Sequence, residues 1–294
     1  MNARALHARL LPASCLALVL LFGAGVAGTQ GTDKTLFVSA LDAENKPVLD
    51  MTAADFAVRE DGTLDREIVS AKLSTQPIHI AMLVDTSREA EEYIHDIRNG
   101  FKAFVKDVLE KSPESQISLW EFGQASLRIK DFTNDAVALD KEVGRVFPKP
   151  RAPSELMEAI FDTAEALSKR PSPRRAIVSL NIEPGDEQSS QEPKKVNDAL
   201  MKSRAQLWAL SVQKGSLKNA QRDVVLNTFV RNAGGQREYI VAQSAIESYM
   251  KRYAAALTSQ YEVVYKRPSG GARLVQTGAR RQGVKVVTGI VPPQ

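Results

Sequence analysis

"HIAMLVDTSREAEE", residues 79–92, is the stretch that decides the fold. Ile80 to Val84 are apolar without a break, the pattern of a strand buried on both faces of a parallel sheet. The run stops at Asp85, Thr86 and Ser87. Ile94, Ile97, Phe101, Val105 and Val108 then recur at steps of three and four residues and predict one long amphipathic helix. A strand that passes straight into a helix is the repeating unit of an open α/β sheet, and ligands of such sheets bind outside the carboxyl ends of the strands. Asp85 and Ser87 fall at such an end. A carboxylate and a hydroxyl at positions i and i+2 are hard oxygen donors, the chemistry that suits Mg²⁺ or Ca²⁺. Other loops at the same sheet edge would have to complete the shell.

The pattern continues outward from that stretch. "QISLWEFG" (116–123), "SLRIKDF" (126–132), "RAIVSLNI" (175–182), "QLWALSVQ" (206–213) and "REYIV" (237–241) read as strands. Helical spacing fills 136–146, 154–169, 192–204, 218–232 and 244–258. Strands alternating with helices predict a doubly wound, mostly parallel α/β sheet over residues 77–258. The flanks, 33–75 and 259–294, are strand-like. Neither has enough strands to stand alone, so they are expected to pair with each other in a small β module. Asp61-Gly62 predicts a tight hairpin joining "DFAVRED" to "REIVSAKL".

Of the 294 residues, 43% are hydrophobic and 25% charged, ordinary for a globular chain. Residues 1–27 stand apart. Arg4 and Arg9 precede "CLALVLLFGAGVA", and Gly25-Val26-Ala27 offers a cut after Ala27, which together predict a secretory signal peptide. The run is too short to span a bilayer stably, so no membrane span is expected in the mature chain and its destination is read as secreted or periplasmic. "GAGVAG" (23–28) matches G-x-G-x-x-G but follows no strand, so no dinucleotide site is read from it. Loss of the segment removes two of the 39 basic residues and none of the 35 acidic ones, leaving a net charge of +2. No block of Lys and Arg is interleaved with aromatics, which argues against a nucleic-acid partner. Cys15, the one cysteine, leaves with the signal, so the mature chain has neither thiol nor disulfide.

From His79 to about Leu257 the sequence resembles a von Willebrand factor A (VWA) domain. With its flanks it resembles the bacterial VWFA-related family first noticed in acidobacteria, through "NKPVLDMTAADFAVREDG" followed by "LVDTS", and through "QYEVVYKRP" and "GVKVVTGI" at the other end. That resemblance implies a metal-ion-dependent adhesion site. Its D-x-S-x-S element is met by Asp85, Ser87 and Glu89, with the last serine lost. Its threonine falls on Ser154 in "PSELMEAI", where Glu158 takes the place of an aspartate. Its third-loop aspartate is absent, because "LNIEPGDEQ" puts Asn181 and Ile182 at that turn. The expected ligands are therefore Asp85, Ser87, Ser154 and the substituted carboxylate Glu89, with Asn181 a helper through water. The cofactor is read as none, or weakly bound Mg²⁺ or Ca²⁺. Ile182→Asp is expected to strengthen binding if the backbone there faces the site.

Only His79 and His95 remain in the mature chain, and neither is placed beside a serine for a nucleophilic triad. A phosphoryl-accepting Asp85 would want a second aspartate where Ser87 stands. The function is thus read as non-catalytic protein binding, with protein partners in the cell envelope or outside the cell. The competing readings are a hydrolase or phosphatase using Asp85, and a scaffold subunit with no ligand site. Trp120 and Trp208 read as core. "EPGDEQSSQEPKK" (183–195) reads either as a solvated loop or as a recognition loop at the site rim.

Overall fold

The computed structural model describes residues 32–62, 65–214, 219–267 and 274–289. The expected signal segment, its glycine-rich motif and the "PSGG" stretch at 268–271 lie outside the described residues. The amino-terminal segment forms β1 (Thr32–Leu41), β2 (Phe56–Glu60) and β3 (Ile68–Leu73). The central body runs β4 (Ile78–Asp85), α1 (Ile94–Lys111), β5 (Gln116–Phe122), β6 (Ser126–Thr133), α2 (Ala136–Gly144), α3 (Leu156–Ser168), β7 (Arg174–Glu183), α4 (Pro193–Ser203), β8 (Gln206–Gln213), α5 (Ala220–Ala233), β9 (Arg237–Ile240) and α6 (Ile246–Thr258). β10 (Tyr261–Arg267), β11 (Val275–Ala279) and β12 (Lys285–Val287) follow.

The central six strands are ordered β6-β5-β4-β7-β8-β9. All neighbours are parallel except β6, which returns antiparallel on the edge of β5. All eight residues of β4 are buried, as its unbroken apolar run requires in the middle of a two-faced sheet. The strand's alternation feeds two apolar layers. Ile80, Met82 and Val84 meet Phe101, Phe104 and Val108 of α1 and Met250 and Leu257 of α6, whereas Ala81 and Leu83 meet Ile160 and Ala164 of α3. Trp208 and Trp120 are both core; Trp208 lies edge-on to Tyr253, ring centroids 5.2 Å apart.

The terminal segments pair with each other, but as two sheets. β12-β1-β10-β3 is four-stranded and antiparallel, and β11-β2 stands beside it. The hairpin expected at Asp61-Gly62 is only half realised. Both residues take positive φ, 51° and 72°, as a tight primed turn demands. The flanking strands then part: β2 pairs with β11 and β3 with β10. A single hydrogen bond, Arg66 N–H to Val58 O at 2.7 Å, keeps the ladder's start. Strand partners from the far end of the chain supply a shared core around Phe56, Val58, Tyr261, Val263 and Tyr265, and burial there outweighs the local hairpin. The module is locked to the central body by Ser39 Oγ–H to Ala256 O (3.0 Å) and Gln260 Nε2–H to Gln206 Oε1 (2.8 Å).

His79 sits at the start of β4, its Nδ1 accepting from Arg170 Nε at 3.3 Å and its ring tilted against Phe132. Burial, with the charges of Arg170 and Arg175, pushes its pKa down to about 4. The unfolded chain, with an ordinary imidazole near 6.5, binds the proton more readily, so stability falls as pH drops from about 6.5 towards 4. His79→Gln is expected to flatten that limb of a stability–pH profile from urea melts. An unchanged slope in the variant would show that the proton is taken up elsewhere.

Candidate functional site at the carboxyl edge

Asp85 ends β4 between β5 and β7 and has no exposed surface. Its two oxygens are committed to backbone donors. Oδ1 accepts Ser87 N–H at 2.8 Å, which closes the D-T-S turn, and Oδ2 accepts Ile182 N–H from the end of β7 at 2.9 Å. Burial pushes the carboxyl above its usual range, opposed by the Ile182 N–H, by Ser87 and by the charge of Arg222.

The structure brings Ser87 and Ser154 to the same edge. Both are buried, and the hydroxyls of Ser87, Ser154 and Thr86 lack a hydrogen-bond partner among the described residues. Two loops lie over them. Lys149 N–H donates to Thr86 O (2.8 Å) and Arg88 N–H to Ala152 O (3.1 Å), so the segment after α2 clamps the D-T-S turn. On the other side Ser154 N–H donates to Asp186 O and Gln188 N–H to Ser154 O, both at 2.8 Å, a short parallel bridge that carries the 184–192 loop across the rim. Ser190 Oγ–H donates to Glu158 at 2.9 Å, and Ser189 Oγ accepts Glu158 N–H at 3.0 Å. This loop is thus pinned to the start of α3 along its length.

Glu89 turns away from Asp85 and pairs with Arg88 at 2.9 Å, in a 3₁₀ turn, Arg88–Tyr93, that precedes α1. Asn181 donates to Glu183 Oε1 (2.9 Å) and Ser211 Oγ (3.2 Å). Ile182 presents its backbone to Asp85 but sends its side chain into the apolar layer shared with Val84, Leu180 and Val212. Glu155 lies beside Glu158, Glu187 and Asp162; burial first, then those charges, push its carboxyl up. Among the described residues no three His, Cys, Asp or Glu side chains converge closely enough to hold a metal ion.

What sequence reasoning missed is Arg222. It lies in the first turn of α5, behind the Asn219 cap, and is wholly buried. Nε donates to Glu187 Oε2 at 3.0 Å, Nη1 to Ile182 O at 3.3 Å, and Nη1 stands 3.8 Å from Glu183 Oε2. The guanidinium lies flat on Gly185, where a Cβ would come within 1.9 Å of Nη1. Glu183 is shared with Arg237 (3.5 Å), which also reaches Asp223 Oδ1 at 3.0 Å. Tyr239 O–H donates to the same Asp223 carboxylate and, chiefly through burial, its phenol is pushed up to about 12. One signal was legible: a cation in a helix's first turn opposes the macrodipole, so it needs a strong local reason to be there. Glu183 and Glu187, four residues apart around a glycine, are that reason.

No protein-family model and no curated protein matches this sequence. The fold is similar to that of a von Willebrand factor type A protein from Catenulispora acidiphila, with 8% identity over 91% of this chain and 67% of that one and a TM-score of 0.50. It is also similar to proximal thread matrix protein 1 from the mussel byssus, with 13% identity over 67% of this chain and 50% of that one, TM-score 0.51. A further match is the vWF domain of the type V pili tip protein Mfa5 from Porphyromonas gingivalis, at 17% identity and TM-score 0.34, over 36% of this chain and 38% of that one. Identities this low speak to architecture alone. With its parallel sheet, single antiparallel edge strand and helices on both faces, the central body of this chain has the von Willebrand factor A fold.

Proposed function

We propose that the chain is an exported, non-catalytic VWA-domain protein of the VWFA-related type, and that the carboxyl edge of its sheet binds a protein partner without a divalent ion. The observation that carries this reading is the charge arrangement around Asp85. A divalent cation asks for six or more oxygens with carboxylates among them. Here there is one wholly buried carboxylate, each oxygen already accepting one backbone N–H, two hydroxyls, and the fixed positive charge of Arg222 close behind. The hydroxyls of Ser87 and Ser154 suit a cation, but the charge does not, and these residues do not fit a Mg²⁺ or Ca²⁺ centre. The same burial speaks against Asp85 as a nucleophile, since an attacking carboxylate needs a free oxygen within reach of substrate. The surface left for a partner is the rim, where Phe147 is exposed under the guanidinium of Arg98 (4.2 Å to the ring centroid), near exposed Arg88 and Arg151.

The reading is tested with purified mature protein. Millimolar Mg²⁺ or Ca²⁺, against EDTA, is expected to leave the melting temperature unchanged, because only a ligand that binds the native state raises it. Titration calorimetry with Mg²⁺ is expected to show no saturable heat. Saturable binding lost in Ser87→Ala would restore the metal site. Turnover of generic phosphate monoesters or esters, abolished by Asp85→Asn, would replace the binding reading with the hydrolase one.

A further inference from the structure

At the opposite pole, where the parallel strands begin, a cleft of about 680 Å³ opens between β1, the start of β7 and the end of α4. Among the described residues five basic side chains line it, Lys34, Arg174, Arg175, Lys202 and Arg204, against one acidic residue, Asp33. The two poles treat arginine differently. Arg222 and Arg237 each stand between two carboxylates. In the cleft, among the described residues, Arg174 donates to neutral acceptors alone, Gln76 O, Leu257 O and Gln260 Oε1, and Arg175 to Ser203 O (2.8 Å) and Arg170 O (2.6 Å). Arg175 keeps a buried Nε with no partner.

Arg204 is the informative residue. It follows α4 in the left-handed region, φ 56°, and its half-buried guanidinium makes no hydrogen bond or ion pair with the described residues. Burial and the neighbouring charge of Arg175 both push its pKa down. Like charges gathered in a partly dry cleft repel, and the cost grows as water is excluded. A guanidinium fork left open is the group that recognises a planar carboxylate or a phosphate by paired hydrogen bonds. Leu36, Phe37, Pro173 and Leu200 give an otherwise polar lining an apolar side, and the volume matches that of small-molecule sites.

We propose that this cleft is an anion-binding site whose ligand carries a phosphate or carboxylate group on an apolar body, held by Arg204 and Arg175. The site lies at the far end of the sheet from Asp85 and stands independently of the function proposed above.

The test is titration calorimetry of the full mature protein at low ionic strength with four probes: inorganic phosphate, phenyl phosphate, citrate and a hexaglutamate peptide. One-to-one saturable binding is expected for at least one, with phenyl phosphate tighter than inorganic phosphate if the source is a small organic anion. Binding confined to hexaglutamate would identify the source as an acidic chain. Arg204→Gln is expected to weaken binding by about tenfold or more, the worth of a hydrogen bond to a charged group. Its melting temperature should change little, because the side chain gives up no hydrogen bond or ion pair with the described residues. Lys202→Gln, at an exposed position, should weaken binding in the same direction and guards against a folding defect in the first variant. Absence of saturable heat for all four probes would overturn the proposal. So would wild-type affinity in both variants, or an effect reproduced by sodium chloride of matched ionic strength.

Discussion

Arg222→Met is expected to lower the free energy of unfolding by about 3–5 kcal/mol, the range for removing one partner from a buried ion pair. The methionine fills most of the space, so the loss is electrostatic rather than a cavity effect. Glu187, 2.9 Å from Nη2, and Glu183, 3.8 Å from Nη1, would both be left in a dry setting, with Asp85 close by and relying on the same charge. Arg222→Lys keeps the charge but loses the fork that contacts Glu187 and Ile182 O together, and is expected to fall between the two. Urea melts followed by circular dichroism give both numbers. A methionine variant within about 1 kcal/mol of wild type would mean that the carboxylates find water or take up protons at little cost, and would remove the basis for treating Arg222 as the charge that occupies this edge.

Ile182→Asp is the second large effect, and it reverses an expectation drawn from the sequence. A missing family aspartate at that turn invites restoration, and the backbone does face Asp85 as that idea requires. The side chain does not. It belongs to the apolar layer of Val84, Leu180 and Val212, fully buried. An aspartate there would bring a carboxyl into hydrocarbon with no donor to meet it, the kind of change that costs about 4 kcal/mol or more. Added Mg²⁺ should not recover the loss. A variant that folds with near wild-type stability and gains a Mg²⁺-dependent rise in melting temperature would show that the strand end can rotate, and would reopen the metal reading.

That reversal shows where the sequence was readable. Long periodic elements were legible: the apolar run 80–84 could only be a central strand, and the spacing from Ile94 to Val108 could only be a helix. Ser87 and Ser154 reach one edge because the order of strands and helices leaves them no other place. The partners that decide the chemistry were not legible, because they depend on contacts between distant segments. Arg222 lies 37 residues past Gly185 in the chain, and only the glycine's bare surface lets the guanidinium lie flat between them. At Ile182 the one-residue alternation of a strand decides between site and core, and a motif alignment of single letters cannot resolve a period of two. The Asp61-Gly62 turn makes the same point: its chemistry is local and correct, but the strands it joins are claimed by different remote partners.

The clasp between the two ends also sets an order of events during synthesis. Thr32 is opposite Arg267 in the β1–β10 ladder, and the strands that pair with β1, β2 and β3 among the described residues are β10, β11 and β12. β1, β2 and β3 therefore leave the ribosome well before the strands they pair with. Until β10 exists they have edges but no sheet, while the central body between them contains all the strands of its own sheet and can close first. A chain halted after α6 would carry a finished core with a loose leading segment, and completion of the β module would be reported by the burial of Tyr261 and Tyr265 against Phe56 and Val58.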